Sequence, residues 1–227
     1  MGTGGRTRTI TGTARMTIDG RLMTLTQWLS PGFPTGAFAF SHGVETAIAD
    51  GWIIDGAGLE DWLRDCLDEG TGRSDAIWLR LAFAADDPLE IDAMARSYAI
   101  SRERLREGVR QGAAFAATVR AVWGFDLPDV VLPVALGRAA RLAGLEVEAA
   151  VALYLQAMVA NLTHAAIRLM PLGQTEGQRV IHALQPDCLR IARDTRGAVA
   201  GDVCGNAFLS DIAAMRHETL ETRLFQS

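Results

Sequence analysis

Residues 146–170, EVEAAVALYLQAMVANLTHAAIRLM, contain neither glycine nor proline and are apolar on most faces. At 1.5 Å per residue such a helix spans roughly 36 Å, about the width of a small domain. A helix apolar on nearly all sides has to be surrounded by other elements. The stretch therefore predicts a central buried helix around which the rest of the chain packs. Glu148, Gln156, Asn161, His164 and Arg168 interrupt it, and that polar content argues against a membrane span.

The flanking sequence reads as further helices. LEDWLRDCL (59–67) places Leu59, Trp62, Leu63, Cys66 and Leu67 at spacings of three and four, one apolar stripe, with Gly70 and Gly72 after it as stop signals. SDAIWLRLAFA (74–84) predicts a helix capped by Ser74, and Asp86-Asp87-Pro88 ends it and opens the next, Pro88 being tolerated in a first turn. In SRERLREGVRQGAAFAATVRAVW (101–123), Leu105, Val109, Gly112, Ala113, Ala116 and Val119 fall along one side. Glycine costs ~1 kcal/mol relative to alanine inside a helix, so Gly112 predicts close helix packing. GDVCGNAFL (201–209) is too short and glycine-interrupted to build a sheet. The expectation is an all-α protein: one globular helical domain over residues 22–218 with about ten helices. A flexible N-terminal tail (1–21) and a short C-terminal docking tail (219–227) flank it.

Composition narrows the function classes. Hydrophobic residues at 49% and charged residues at 22% are ordinary globular values. A net charge of -5 leaves no basic footprint for nucleic acid. The N-terminus lacks the apolar run of a signal peptide, and Arg6 breaks the myristoylation pattern that Gly2 could begin. Cys66, Cys188 and Cys204 are odd in number and far apart, unlike a disulfide framework. These features predict a cytoplasmic protein with reduced thiols and no membrane association.

The candidate sites begin with SPGFPTGAFAFSHGVE (30–45), where Ser41 and His42 adjoin. A nucleophile elbow needs G-x-S-x-G between a strand and a helix, and here the order is A-F-S-H-G with no strands predicted. Adjacent side chains also rarely face one another as nucleophile and base must. The structural reading has Pro31, Gly32, Pro34 and Gly36 shaping a turn, Ser41 capping a helix begun by Gly43-Val44-Glu45, and Phe33, Phe38 and Phe40 anchoring the loop. The alternative is a small α-helical hydrolase using Ser41 and His42. His42, His164, His182 and His217 are scattered, without the local spacing of a tight metal site, and no P-loop motif is present. Asn161, His164 and Arg168 share one face of the central helix, which must meet a polar partner, a water-filled passage or another subunit. The ending HETLETRLFQS puts Arg223, Leu224 and Phe225 beside one another, which suits a tail docked on a partner or packed on its own domain.

Three ordered blocks of this sequence resemble the urease accessory protein F family (UreF). The first is residues 25–53, with S-P-x-x-P-x-G-x-F-x-x-S-H-G-x-E at 30–45. The second is A-x-R-x-x-x-L-G-Q, carried by Ala166, Arg168, Leu172, Gly173 and Gln174, and the third is H-E-x-x-x-x-R-L-F-x-S at 217–227. Phe40 stands where the family often has Tyr, and Gln226 where it usually has a basic residue. The resemblance implies a non-catalytic all-α assembly factor that holds no cofactor or metal stably. It implies a homodimer that joins a second accessory protein (D or H) and recruits the accessory GTPase (G). The complex would act on urease apoprotein so that nickel enters the active site with GTP hydrolysis. Joined to the residue readings above, this leads to the expectation that Arg223, Leu224 and Phe225 dock the second accessory protein, that Ser41, His42 and Glu45 form a structural and partner-facing cluster, and that the polar face of Asn161, His164 and Arg168 offers a passage for hydrated nickel.

Overall fold

The computed structural model describes residues 20–203 and 205–227. Residues 1–19 of the expected tail, and Cys204, lie outside the described residues. Among the described residues there are eleven α-helices, two 3-10 turns and no strands, as the absence of alternating patterns requires. The helices are α1 (Gly20–Trp28), α2 (Val44–Ala49), α3 (Gly56–Asp68), α4 (Thr71–Ala84), α5 (Pro88–Ser97) and α6 (Arg102–Trp123). They continue with α7 (Leu132–Leu142), α8 (Val147–Leu169), α9 (Gln174–Ala183), α10 (Gln185–Asp194) and α11 (Phe208–His217). Gly20 and Arg21 already belong to α1, so helix starts just inside the segment assigned to the N-terminal tail.

The central-helix expectation holds. α8 is long and apolar enough to cross a membrane, yet α2, α3, α4, α7, α9 and α10 all pack on it. Its buried side chains include Val151, Leu155, Val159 and Leu162. The α3 stripe also holds, with Leu59, Trp62, Leu63, Cys66 and Leu67 all buried. Burying each such aliphatic or aromatic side chain stabilises the fold by ~1.5–3 kcal/mol. The Asp55 and Asp87 carboxylates cap α3 and α5 by accepting from Gly58 N and Leu89 N.

Several local expectations are corrected. α4 begins at Thr71, so Gly72 lies inside its first turn and Ser74 is not the cap. Phe33 and Phe40 anchor the 30–45 loop in the core, but Phe38 is 70% exposed. The close packing expected at Gly112 is against the start of α7, on which α6 packs: a Cβ there would sit 1.9 Å from Val130 O and 2.8 Å from Leu132 N. The buried face of α6 is only partly the one expected, with Gly112, Ala116 and Val119 buried. Glu103, Glu107, Gln111 and Phe115 are buried, whereas Leu105 and Val109 are only half-buried.

Candidate functional site

The loop before α2 turns sharply at two left-handed residues, His42 (φ 55) and Gly43 (φ 81). A side chain in that region costs ~1–2 kcal/mol. For His42 the cost is offset by its ring, whose Nε2 lies 2.6 Å from Glu107 Oε1. Gly43 takes the N-cap position of α2 that was expected for Ser41. The Ser41 hydroxyl instead donates to the Ser227 backbone oxygen at 2.5 Å, while Glu45 N is only loosely held, 3.4 Å from Ser41 Oγ. Ser41 is fully buried, and its proton is directed away from His42. The structure does not bring the two into a nucleophile–base pair.

Glu107, on α6, is the centre of this cluster. Its Oε1 faces His42 Nε2 and Gln111 Nε2 (2.8 Å), and its Oε2 faces Arg104 and Ser227 Oγ (2.7 Å). Four donors fill the acceptor positions of one carboxylate. Burial opposes its ionisation, but Arg104, the His42 ring and the hydrogen bonds from His42 and Ser227 prevail and hold it at about 2. Burial, and then the Arg104 charge, lowers His42 below the ordinary imidazole range against the pull of Glu107. The ring is therefore neutral at pH 7, with its proton assigned to the nitrogen that faces the carboxylate.

A second carboxylate pair grips the C-terminal segment. Glu45 accepts from Leu224 N (2.6 Å) and Phe225 N (3.0 Å), and its Oε2 lies 3.1 Å from His217 Nε2. Glu103 lies 2.7 Å from His217 Nδ1 and accepts from Arg223 Nη1 at 2.6 Å. His217 is fully buried, and each of its ring nitrogens faces one carboxylate. Ser41 N donates to Ser227 O (2.8 Å) and Gln226 N to Ala39 O (2.9 Å). The tail thus lies on its own domain, with Phe225 buried and Leu224 left 67% exposed. Gln226 accepts from Arg110 Nη1 at 2.6 Å, a place where a basic side chain would meet like charge.

Beside this cluster runs a cleft of about 580 Å³, lined in part by His42, Asp75, Arg104, Tyr154, Asn161 and Arg168. The polar face of α8 meets the 30–45 loop here: Asn161 donates to Phe40 O and Arg168 to Phe38 O, each at 3.3 Å. Arg168 also lies 4.6 Å over the Phe225 ring. His164 lines the cleft and is exposed, so it is not an interior histidine. Among the described residues, no three His, Cys, Asp or Glu side chains converge as a metal site.

Across the cleft, Tyr154 donates to Asp75 Oδ2 at 2.5 Å. Burial pushes Asp75 up to about 6, against the Tyr154 hydrogen bond and the Arg104 charge. Because the folded value lies above the ordinary 3.8, ionised Asp75 is a penalty that is complete above about pH 6 and disappears below 3.8. Asp75→Asn keeps an acceptor for Tyr154 and removes the penalty. It is expected to stabilise the protein by up to about 3 kcal/mol near pH 8, with the gain fading towards pH 4. Urea titrations at the two pH values check the sign.

Comparison with known proteins matches the sequence to a family. A UreF family model matches residues 53–185. The chain is 52% identical to the urease accessory protein UreF of Cereibacter sphaeroides over 206 residues, 91% of this chain and 98% of that protein. The chain belongs to the UreF family. Other relatives named urease accessory protein UreF come from Roseobacter denitrificans, 48% identical over 90% of this chain and 93% of the relative, and Paracoccus denitrificans, 43% identical over 93% and 99%. In this UreF-family chain, Ser41, His42, Glu45, Arg223 and Phe225 come together in one hydrogen-bonded assembly, whereas Leu224 and His164 point to solvent and cleft. Sequence reasoning did not find Glu103, Arg104, Glu107 or Asp75 as parts of the site. For the three on α6 the signal is the run Glu103, Glu107 and Gln111 at spacings of four, one face of a helix, with Arg104 placed to pair with Glu107 at a spacing of three.

Proposed function

We propose that this chain is a urease assembly factor that acts by binding alone. It joins a second accessory protein, D or H, to the accessory GTPase and to urease apoprotein, so that nickel enters the urease active site with GTP hydrolysis. The complex works in the cytoplasm around a homodimer of this chain, and nickel is cargo that moves past the cleft face carrying Asn161, His164 and Arg168. The observation that carries the reading is that the relatives named urease accessory protein UreF match nearly their whole length, as the Cereibacter protein does over 98%. The hydrogen bonds of Ser41 and His42 support it, since Ser41 is spent on the tail and His42 on Glu107 of α6. Binding at the tail reaches α6 through Glu103 and Glu107, and coupling between sites of this kind is worth ~1–3 kcal/mol.

The docked tail presents Leu224 and one side of Arg223 to the second accessory protein, and Phe225 fixes their position. Phe225→Ala removes the ring beneath Arg168 without touching the α3–α8 core. It is expected to keep its helical content by circular dichroism yet lose co-elution with the second accessory protein on size-exclusion chromatography. Undiminished co-elution of the variant contradicts the docking role. A parent chain that co-elutes with neither accessory protein contradicts the proposed function itself.

A further inference from the structure

α11 is apolar on two opposite sides. One side, Ala213, Ala214 and His217, is buried and packs on α2. The other carries Phe208, Leu209, Ile212 and Met215, which are 68%, 57%, 41% and 47% exposed. Exposed apolar surface continuous over about two helical turns marks contact sites. Met215 also lines a shallow, open groove of about 420 Å³ together with Ala99, Ile100, Leu105 and the Arg102–Glu218 ion pair. The apolar face therefore continues onto a neighbouring surface.

Beyond the groove, α6 carries Arg102, Arg106 and Arg110 at spacings of four, all exposed. Like charges at that spacing repel, and cations in the first turns of a helix oppose its macrodipole. Arg102 has Glu218, but Arg110 has only the neutral Gln226, and Arg106 has no ion-pair partner among the described residues. The protein as a whole is acidic, with a net charge of -5, so this row is a local reversal of sign. Phenylalanine, methionine and arginine together are the composition of interface centres and anchors.

We propose that the outer face of α11, the adjoining groove and the α6 arginine row form one docking surface for a protein partner with an apolar centre and a carboxylate rim. The inference rests on the proposed function and names the chemistry of one of its partners. A second copy fits poorly, because a two-fold contact over this face brings arginine row towards arginine row. Residues 1–19 carry Arg6, Arg8 and Arg15 against Asp19 alone, so they too have the wrong sign.

The test uses the full chain with two purified probes, the second accessory protein and the accessory GTPase, each titrated separately at low and high salt. Arg106→Glu and Ile212→Glu change exposed side chains, and Arg106→Lys keeps the charge. At least one probe is expected to bind the parent and Arg106→Lys with a salt-weakened Kd, and both Glu variants at least tenfold more weakly. The oligomeric state by sedimentation should stay the same throughout. If the bound probe retains its parent affinity in both Glu variants, this surface is wrong while the proposed function stands. If the variants instead change self-association, the occupant is a second copy and the inference falls. A parent that binds neither probe overturns the proposed function along with it.

Discussion

Glu107→Ala should be the most damaging single truncation in the site, with a loss of about 3–5 kcal/mol, the range measured when one member of a buried ionic network is removed. The carboxylate holds His42, Arg104, Gln111 and Ser227 at once. Without it Arg104 loses the carboxylate it is hydrogen-bonded to, and His42 keeps its left-handed backbone without the contact that offsets it. At ~2–4 °C per kcal/mol for a domain of this size, the melting temperature falls on the order of 10 °C. The effect has a pH signature. Glu107 is held at about 2 against an ordinary 4.5, so its contribution is complete above 4.5 and disappears as the pH falls towards 2. The gap between parent and variant should close over that window. A variant within 1 kcal/mol of the parent at neutral pH would show that the network does not hold this region together.

Gly43→Ala should have the next largest effect, for two independent reasons. Its φ of 81 is left-handed, and a Cβ there would lie 2.8 Å from Ala214 N and 3.0 Å from Ala213 C. Strain of ~1–2 kcal/mol adds to overpacking of ~1–3 kcal/mol, for a loss of about 2–5 kcal/mol. Because the contact is with backbone, α11 has to move away from α2, taking His217 off Glu45. Glu45 is also the acceptor for Leu224 N and Phe225 N. Hydrogen exchange at those two amides should therefore accelerate more than at the amides of α8. Parent-like stability and parent-like exchange in this variant would refute the close approach of the two helices.

Much of the framework can be read from periodicity, because the relevant partners are near in sequence. The α3 stripe, the Asp87-Pro88 start of α5 and the long α8 follow from spacing and capping chemistry alone. α6 shows where that reasoning ends. Leu105 and Val109 look like its inward face, yet Glu103, Glu107 and Gln111 are buried in their place. Their partners, Arg223, Ser227, His217 and His42, come from segments more than sixty residues away. No local pattern shows that a tail will arrive bringing amides, a hydroxyl and a guanidinium to be satisfied. The same cause explains Ser41, which looks like a helix cap and turns instead to Ser227. Phe38 differs again: its neighbours Phe33 and Phe40 fill the core, while the turn between them leaves Phe38 facing solvent.

The role of these contacts as an assembly platform is tested most directly in cells that express the urease structural subunits and the other accessory proteins, supplied with ample nickel, with and without this chain. Urease activity and urease-bound nickel are measured on the same preparations. The account predicts that both collapse when the chain is omitted and return when it is restored, at equal levels of urease protein. Full activity and full nickel occupancy without the chain would contradict it.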